Sequence, residues 1–241
     1  WQAETWSLLS GPFHGSASVA YGSLTVGGMP VVPAGLTYTP AVGYIGDDTL
    51  QVRVTDGLLS DTIVLYMHVF PVPASISGAG VVCAGNSTTY TISTSGGVWS
   101  ASNAYAAISG SGATITATGV TAGIDTIFYT LPTGCAVNKI ITVNPLPATL
   151  GYAGPSSICE GSTTSVVSGP AGGVWSSGST GVATIGSLSG TVGGVAVGVA
   201  NITYTLPTGC LAWVPVTVLA TPAAITGAAG VCVGGTTTLT N

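Results

Sequence analysis

Charge is what this sequence has least of. Only 4% of its 241 residues are Asp, Glu, Lys or Arg, against roughly a quarter in an ordinary soluble chain. Two basic residues stand against seven acids, a net charge of -5, so no basic footprint exists to neutralise nucleic-acid phosphates or to hold an anionic membrane surface. Long apolar runs are missing as well. Mean hydropathy is +0.65, yet Gly, Ser or Thr breaks every stretch before the roughly 18 residues a spanning helix needs, which argues against membrane insertion of this segment. Catalytic side chains are equally sparse. The only histidines, His14 and His68, the only arginine, Arg53, and five acids (Glu4, Asp47, Asp48, Asp56, Asp61) fall in the first third, and from 148 to 220 the one charged side chain is Glu160. Acid-base and nucleophilic chemistry needs such groups within hydrogen-bond reach of one another. The expectation is a chain that is not an enzyme and binds no cofactor.

What the sequence does have is internal repetition. Gly96-Gly97-Val98-Trp99-Ser100 recurs as Gly172-Gly173-Val174-Trp175-Ser176, and Thr130-Leu131-Pro132-Thr133-Gly134-Cys135 recurs as Thr205-Leu206-Pro207-Thr208-Gly209-Cys210. A cysteine motif appears three times, as Val82-Cys83-Ala84-Gly85, Ile158-Cys159-Glu160-Gly161 and Val231-Cys232-Val233-Gly234. Pro71-Val72-Pro73, Pro145-Leu146-Pro147 and Thr221-Pro222 mark the joints, and short proline-containing linkers act as semi-rigid spacers. The expected domains are therefore residues 1–72, 73–147, 148–220 and the start of a further module at 221–241. The chain opens at Trp1 without an initiator Met and its last copy is cut short, so the expectation is a window on a longer repetitive polypeptide.

Within a module the hydrophobic period is two. Tyr90 and Ile92 alternate with Thr89, Thr91 and Ser93, and Ile127, Tyr129 and Leu131 alternate with Thr126 and Thr130. β-branched residues dominate, Gly or Asn punctuates the runs, and no amphipathic helix is apparent. The predicted fold class is all-β, with tandem Ig-like β-sandwich modules in an elongated array.

Trp175-Ser176-Ser177, Val182-Ala183-Thr184-Ile185, Gly190-Thr191-Val192, Gly198 and Ala200-Asn201-Ile202-Thr203-Tyr204 together resemble bacterial immunoglobulin-like modules of the invasin and intimin type. The resemblance covers 148–220 well and 73–147 less closely. Residues 11–70 resemble the cadherin-like modules of bacterial adhesins, through Gly11-Pro12, His14-Gly15, Leu36-Thr37-Tyr38-Thr39-Pro40, Gly43-Tyr44-Ile45-Gly46-Asp47-Asp48 and Val54-Thr55-Asp56-Gly57. The combination is similar to giant Bacteroidota cell-surface proteins, including gliding-motility adhesins exported by the type IX system. The resemblance implies an extracellular, cell-surface location.

Five cysteines leave one odd, and the repeat register suggests a resolution. It pairs Cys83 with Cys135 and Cys159 with Cys210, leaving Cys232 unpaired in this window. Disulfides of that loop size are worth about 4 kcal/mol in the chain-entropy model and persist outside the cytosol. A zinc site is the weaker alternative, because neither repeat holds a histidine and no Cys-x-x-Cys occurs.

Other candidates each carry two readings. Trp99 and Trp175 could stack on a sugar or pack in the core, and Tyr129 and Tyr204 are core candidates with hydroxyls bonded to a loop. Trp213 stands where the preceding copy has Asn138. It is expected either to pack across a joint or against a neighbouring chain, or to be internal in a shifted register. Asp47, Asp48, Asp56 and Asp61 are weak calcium candidates, since hard cations want clustered oxygens; the competing reading has Asp48 capping a turn before a strand. Asp48-Thr49-Leu50, Asp61-Thr62-Ile63 and Asp125-Thr126-Ile127 resemble the Bacteroidota O-glycosylation acceptor, which implies glycans on Thr49, Thr62 and Thr126, or else simple strand starts.

The leading expectation is a structural and adhesive segment of a long extracellular repeat protein that forms a cell-surface rod or filament. The alternatives are a glycan- or surface-binding module region and the spacer of a secreted enzyme. Expected partners are neighbouring modules or copies of the same protein, with a glycan or surface ligand as a further candidate.

Overall fold

A computed structural model describes residues 5–19 and 36–241; Trp1 and Glu4 lie outside the described residues. These residues are all-β, as expected, with no helix among them. Alternating Thr, Val and Ile residues account for this, since a β-branched side chain fits a pleated surface with one half-buried face.

Among the described residues, five strands precede residue 72. They are β1 (Thr5–Ser10), β2 (Gly15–Val19), β3 (Leu36–Pro40), β4 (Gly46–Thr55) and β5 (Ser60–Val69). They form a three-stranded sheet in the order β1-β4-β5 and a two-stranded antiparallel sheet of β2 and β3. Leu50 and Val52 on β4 are the buried pair, two residues apart on one face.

The next seven strands are β6 (Val81–Cys83), β7 (Ser87–Thr91), β8 (Val98–Ala101), β9 (Ala106–Ser111), β10 (Thr114–Gly119), β11 (Gly123–Thr130) and β12 (Ala136–Asn144). One sheet runs β7-β10-β9 and the other β6-β12-β11-β8. Tyr90, Ile115 and Ala117 from the first and Ile127, Ile141 and Val143 from the second are buried. The following eight are β13 (Ala148–Tyr152), β14 (Ser157–Cys159), β15 (Thr163–Gly169), β16 (Val174–Ser177), β17 (Ala183–Ile185), β18 (Thr191–Gly194), β19 (Gly198–Thr205) and β20 (Leu211–Leu219). Their sheets are β13-β15-β18-β17 and β14-β20-β19-β16. A single core between them joins Val166, Ala183 and Val192 to Trp175, Ile202, Tyr204, Val216 and Val218, which makes this an Ig-like sandwich.

Residues 221–241 hold only β21 (Thr226–Gly227) and β22 (Leu239–Thr240). The pairing of Thr226 with Thr240 repeats the bridge of Ser77 with Thr91. Two strands bury no core. Ile225 and Leu239 are exposed where their counterparts Ile76 and Tyr90 are buried.

By compactness the chain divides into two units. One comprises Trp1–Ser75, Thr94–Val98 and Tyr129–Val137; the other comprises Ile76–Ser93, Trp99–Phe128 and Asn138–Asn241.

Candidate functional site

The cysteines carry the main correction. The repeat register pairs Cys83 with Cys135 and Cys159 with Cys210, whereas the structure bonds Cys83 to Cys210, with the Cα atoms 5.7 Å apart and a sequence separation of 127. Cys135 and Cys159 are half-buried thiols and Cys232 an exposed one. Strand placement gives the reason. β14 runs parallel to β20 with Cys159 opposite Leu219, at the end of β20, while Cys210 sits in the turn just before Leu211 opens that strand. β20 is nine residues long, so at about 3.4 Å per residue the two cysteines lie roughly 30 Å apart, far beyond the ~7 Å Cα separation that a disulfide tolerates. Likewise Cys83 lies opposite Asn144 at the end of β12, and Cys135 precedes Ala136 at its start. Each complete sandwich thus holds one cysteine at each end of its last strand. The exit-end sulfur of one meets the entry-end sulfur of the next.

The turns before these entry-end cysteines are stiffly built. In each, the residue two before the Pro-Thr-Gly ends a strand and the carbonyl of the cysteine closes the loop: Leu131 N–H donates to Cys135 O and Leu206 N–H to Cys210 O, both at 2.9 Å. Cys135 Sγ lies 3.9 Å from the Phe70 carbonyl oxygen.

Two tyrosine corners brace the sandwiches, as the sequence suggests. Tyr204 Oη accepts from Gly173 N–H at 2.8 Å and donates to Pro170 O at 3.0 Å; Tyr129 Oη accepts from Gly97 N–H at 2.8 Å and donates to Thr94 O at 2.9 Å. The paired glycines are explained by the rings. A Cβ on Gly97 would fall 2.5 Å from Tyr129 and one on Gly173 2.6 Å from Tyr204. Trp175 is buried against Tyr204 with ring centroids 4.6 Å apart, so it belongs to the core and offers no open platform to a sugar. Trp99 is half-buried, its indole N–H donating to Gly112 O at 2.9 Å.

The acids are engaged locally. Asp48 is only 3% exposed. Its carboxylate accepts from the backbone N–H groups of Phe13, His14 and Thr49 and from the Tyr38 hydroxyl. Burial works to raise its pKa, and those four donors more than offset it, holding it at about 2. Tyr38 is pushed up to about 12 by burial first and by the bond to Asp48 second. The Asp47 carboxylate instead meets the His68 ring nitrogen Nδ1 at an exposed position. Asp56 caps the hairpin between β4 and β5 through the N–H groups of Leu58 and Leu59, and bonds to these two lower its pKa. Asp61 takes its neighbour's Thr62 N–H. Among the described residues no three His, Cys, Asp or Glu side chains converge to hold a metal.

Asp125 is the counterpart of Asp48 that residue spacing alone did not reveal. It is fully buried and accepts from Ser102 Oγ and from the backbone N–H groups of Asn103, Ala106 and Thr126. Asp48 and Asp125 therefore each anchor a loop to a strand. Thr49 and Thr126 beside them are half-buried, and only Thr62 of the three Asp-Thr threonines is exposed.

Trp213 is 56% exposed on β20, directly across from Thr203 on β19. Its register is not shifted inward. Leu211 and Val174 are exposed near it, joined to the same rows through Thr205. In the preceding copy the aromatic sits on the other strand, since Phe128 and Asn138 occupy the places of Thr203 and Trp213. A pocket of about 360 Å³ lies among Pro40–Ile45 and Val69–Val72, and His14 stacks on Tyr44 with centroids 4.1 Å apart.

No family model and no curated protein matches this chain. Solved structures do. The chain is similar to a C-terminal 282-residue fragment of intimin, crystallised with the intimin-binding domain of the translocated intimin receptor, at 15% identity and a TM-score of 0.46, covering 63% of this chain and 64% of that one. It is similar to domains 4–9 of the surface layer protein SbsC at 20% identity and a TM-score of 0.25, covering 93% of this chain and 40% of that one. The insect immune protein hemolin matches at 16% identity and a TM-score of 0.30, over 91% of this chain and 68% of that one. The chain thus spans less than two thirds of the intimin fragment and of SbsC domains 4–9.

Proposed function

We propose that these modules form a structural and adhesive segment of a long extracellular repeat protein, a rod or filament at the cell surface, of the kind found in giant Bacteroidota surface proteins. The observation that carries this reading is the Cys83–Cys210 bond. A disulfide that ties one sandwich to the next serves no catalytic step, persists in an oxidising compartment and resists separation of the two modules. The near absence of charge fits the same role, since a neutral surface permits association between neighbours. The adhesive component belongs to residues before 72, where Tyr44 and His14 stack in the open and Phe13 and Tyr66 are exposed. Protein export would follow the type IX route, and Thr62 is the threonine placed to carry a glycan.

The reading is tested on intact cells that make the full protein. Labelling with an antibody against residues 148–220 and trimming with an external protease should mark and remove the segment without lysis. Signal appearing only after lysis would overturn it.

A further inference from the structure

We propose that the Cys83–Cys210 bond is a covalent load path that takes β7 to β19, the greater part of both complete sandwiches, out of tension. This inference rests on the mechanical reading above and deepens it. When the chain is pulled from its ends, force enters through the joint before β6, reaches Cys83 at the end of that three-residue strand, crosses the sulfur bond and leaves through Cys210 and β20. Everything from β7 to β19 lies inside the loop that the bond closes. Most of both buried cores, from Tyr90 to Tyr204, therefore sits in a closed ring outside the load path, while Val82 on β6 and Val216 and Val218 on β20 remain in it. β20 remains in the path, and it leaves by the strand that β14 and β19 clamp on either side. Such a segment keeps its length under forces that would unravel an unlinked pair of modules, and gives it up only when the bond is reduced.

The test is single-molecule stretching of the 1–241 chain between handles at its two termini, after peptide mapping of the oxidised protein. Mapping should recover a Cys83–Cys210 cross-linked peptide. Oxidised molecules should unfold with a short total gain in length. Adding a dithiol under load should then release the closed loop: the reductant gives two electrons and two protons, becoming a cyclic disulfide, and leaves Cys83 and Cys210 as thiols. Their sequence separation of 127 corresponds to about 440 Å of additional contour at ~3.5 Å per residue. Cys83→Ser, if it folds, should show the long gain without reductant; reduction of the wild-type protein in place makes the same measurement whether or not that variant folds. Equal gains in length before and after reduction would overturn the proposal, as would a map showing Cys83 joined to Cys135. Either result leaves the surface-labelling outcome untouched, so the two readings fail separately.

Discussion

Tyr204 ties a strand to the loop that precedes β16, because its one hydroxyl satisfies both Gly173 N–H and Pro170 O. Replacing Tyr204 by Phe leaves both groups without that partner in a partly buried corner, and urea denaturation should show a loss of about 1–3 kcal/mol. Asp48 works at the same scale. Its pKa is lowered from 3.8 to about 2, so its contribution to stability is present above the unfolded value and is lost as pH falls through the folded one. The window is the interval between these two values, and acid titration followed by near-UV circular dichroism should show loosening of the loop at Phe13 and His14 there. Asp48→Asn should remove that acid transition and lower the melting temperature more than Asp61→Asn does, since Asp61 serves only its adjacent N–H at an exposed position.

At the scale of the element, the glycine pairs set how closely a loop can approach a strand. Gly173→Ala should cost about 1–3 kcal/mol, the usual penalty of overpacking, because its new methyl meets the Tyr204 ring. Gly181→Ala, which meets nothing within 4 Å, should cost far less in the same denaturation assay. On the outward face of β20, Trp213→Asn restores the residue of the preceding copy. Stability should hold within about 0.5 kcal/mol, while sedimentation should show weaker self-association if neighbouring chains meet on that face; unchanged sedimentation of an associating wild type would remove Trp213 from the contact. Much of this layout is legible in the sequence. The two-residue period marks β11 and β19, and the repeated Gly-Gly-Val-Trp-Ser and Thr-Leu-Pro-Thr-Gly-Cys blocks fall at equivalent places in the two sandwiches, at β8 and β16 and in the turns before β12 and β20. The cysteine pairing is not, because repetition shows which cysteines are equivalent and is silent on which end of a strand each occupies. The role of Asp125 is hidden for a related reason: its partners Ser102 and Asn103, in a loop, and Ala106, at the start of β9, lie some twenty residues upstream.

Across the two sandwiches, one bond closes a loop of 127 residues, worth about 5 kcal/mol in the chain-entropy account. Reduction should lower the denaturant midpoint of the oxidised protein by a corresponding amount with little change in far-UV circular dichroism under native conditions, since both sheets of each sandwich are hydrogen-bonded independently of the sulfurs. A midpoint indifferent to reductant would show that the bond adds nothing to folding. The placement of one cysteine at each end of every complete sandwich has a hereditary consequence. A bond between neighbours survives unequal crossing-over: duplicating or deleting a whole repeat adds or removes one exit-end and one entry-end cysteine together, and every adjacent pair still matches. Such a gene can lengthen or shorten by whole units while its product keeps correct cross-links, so variation in copy number needs no compensating point mutations.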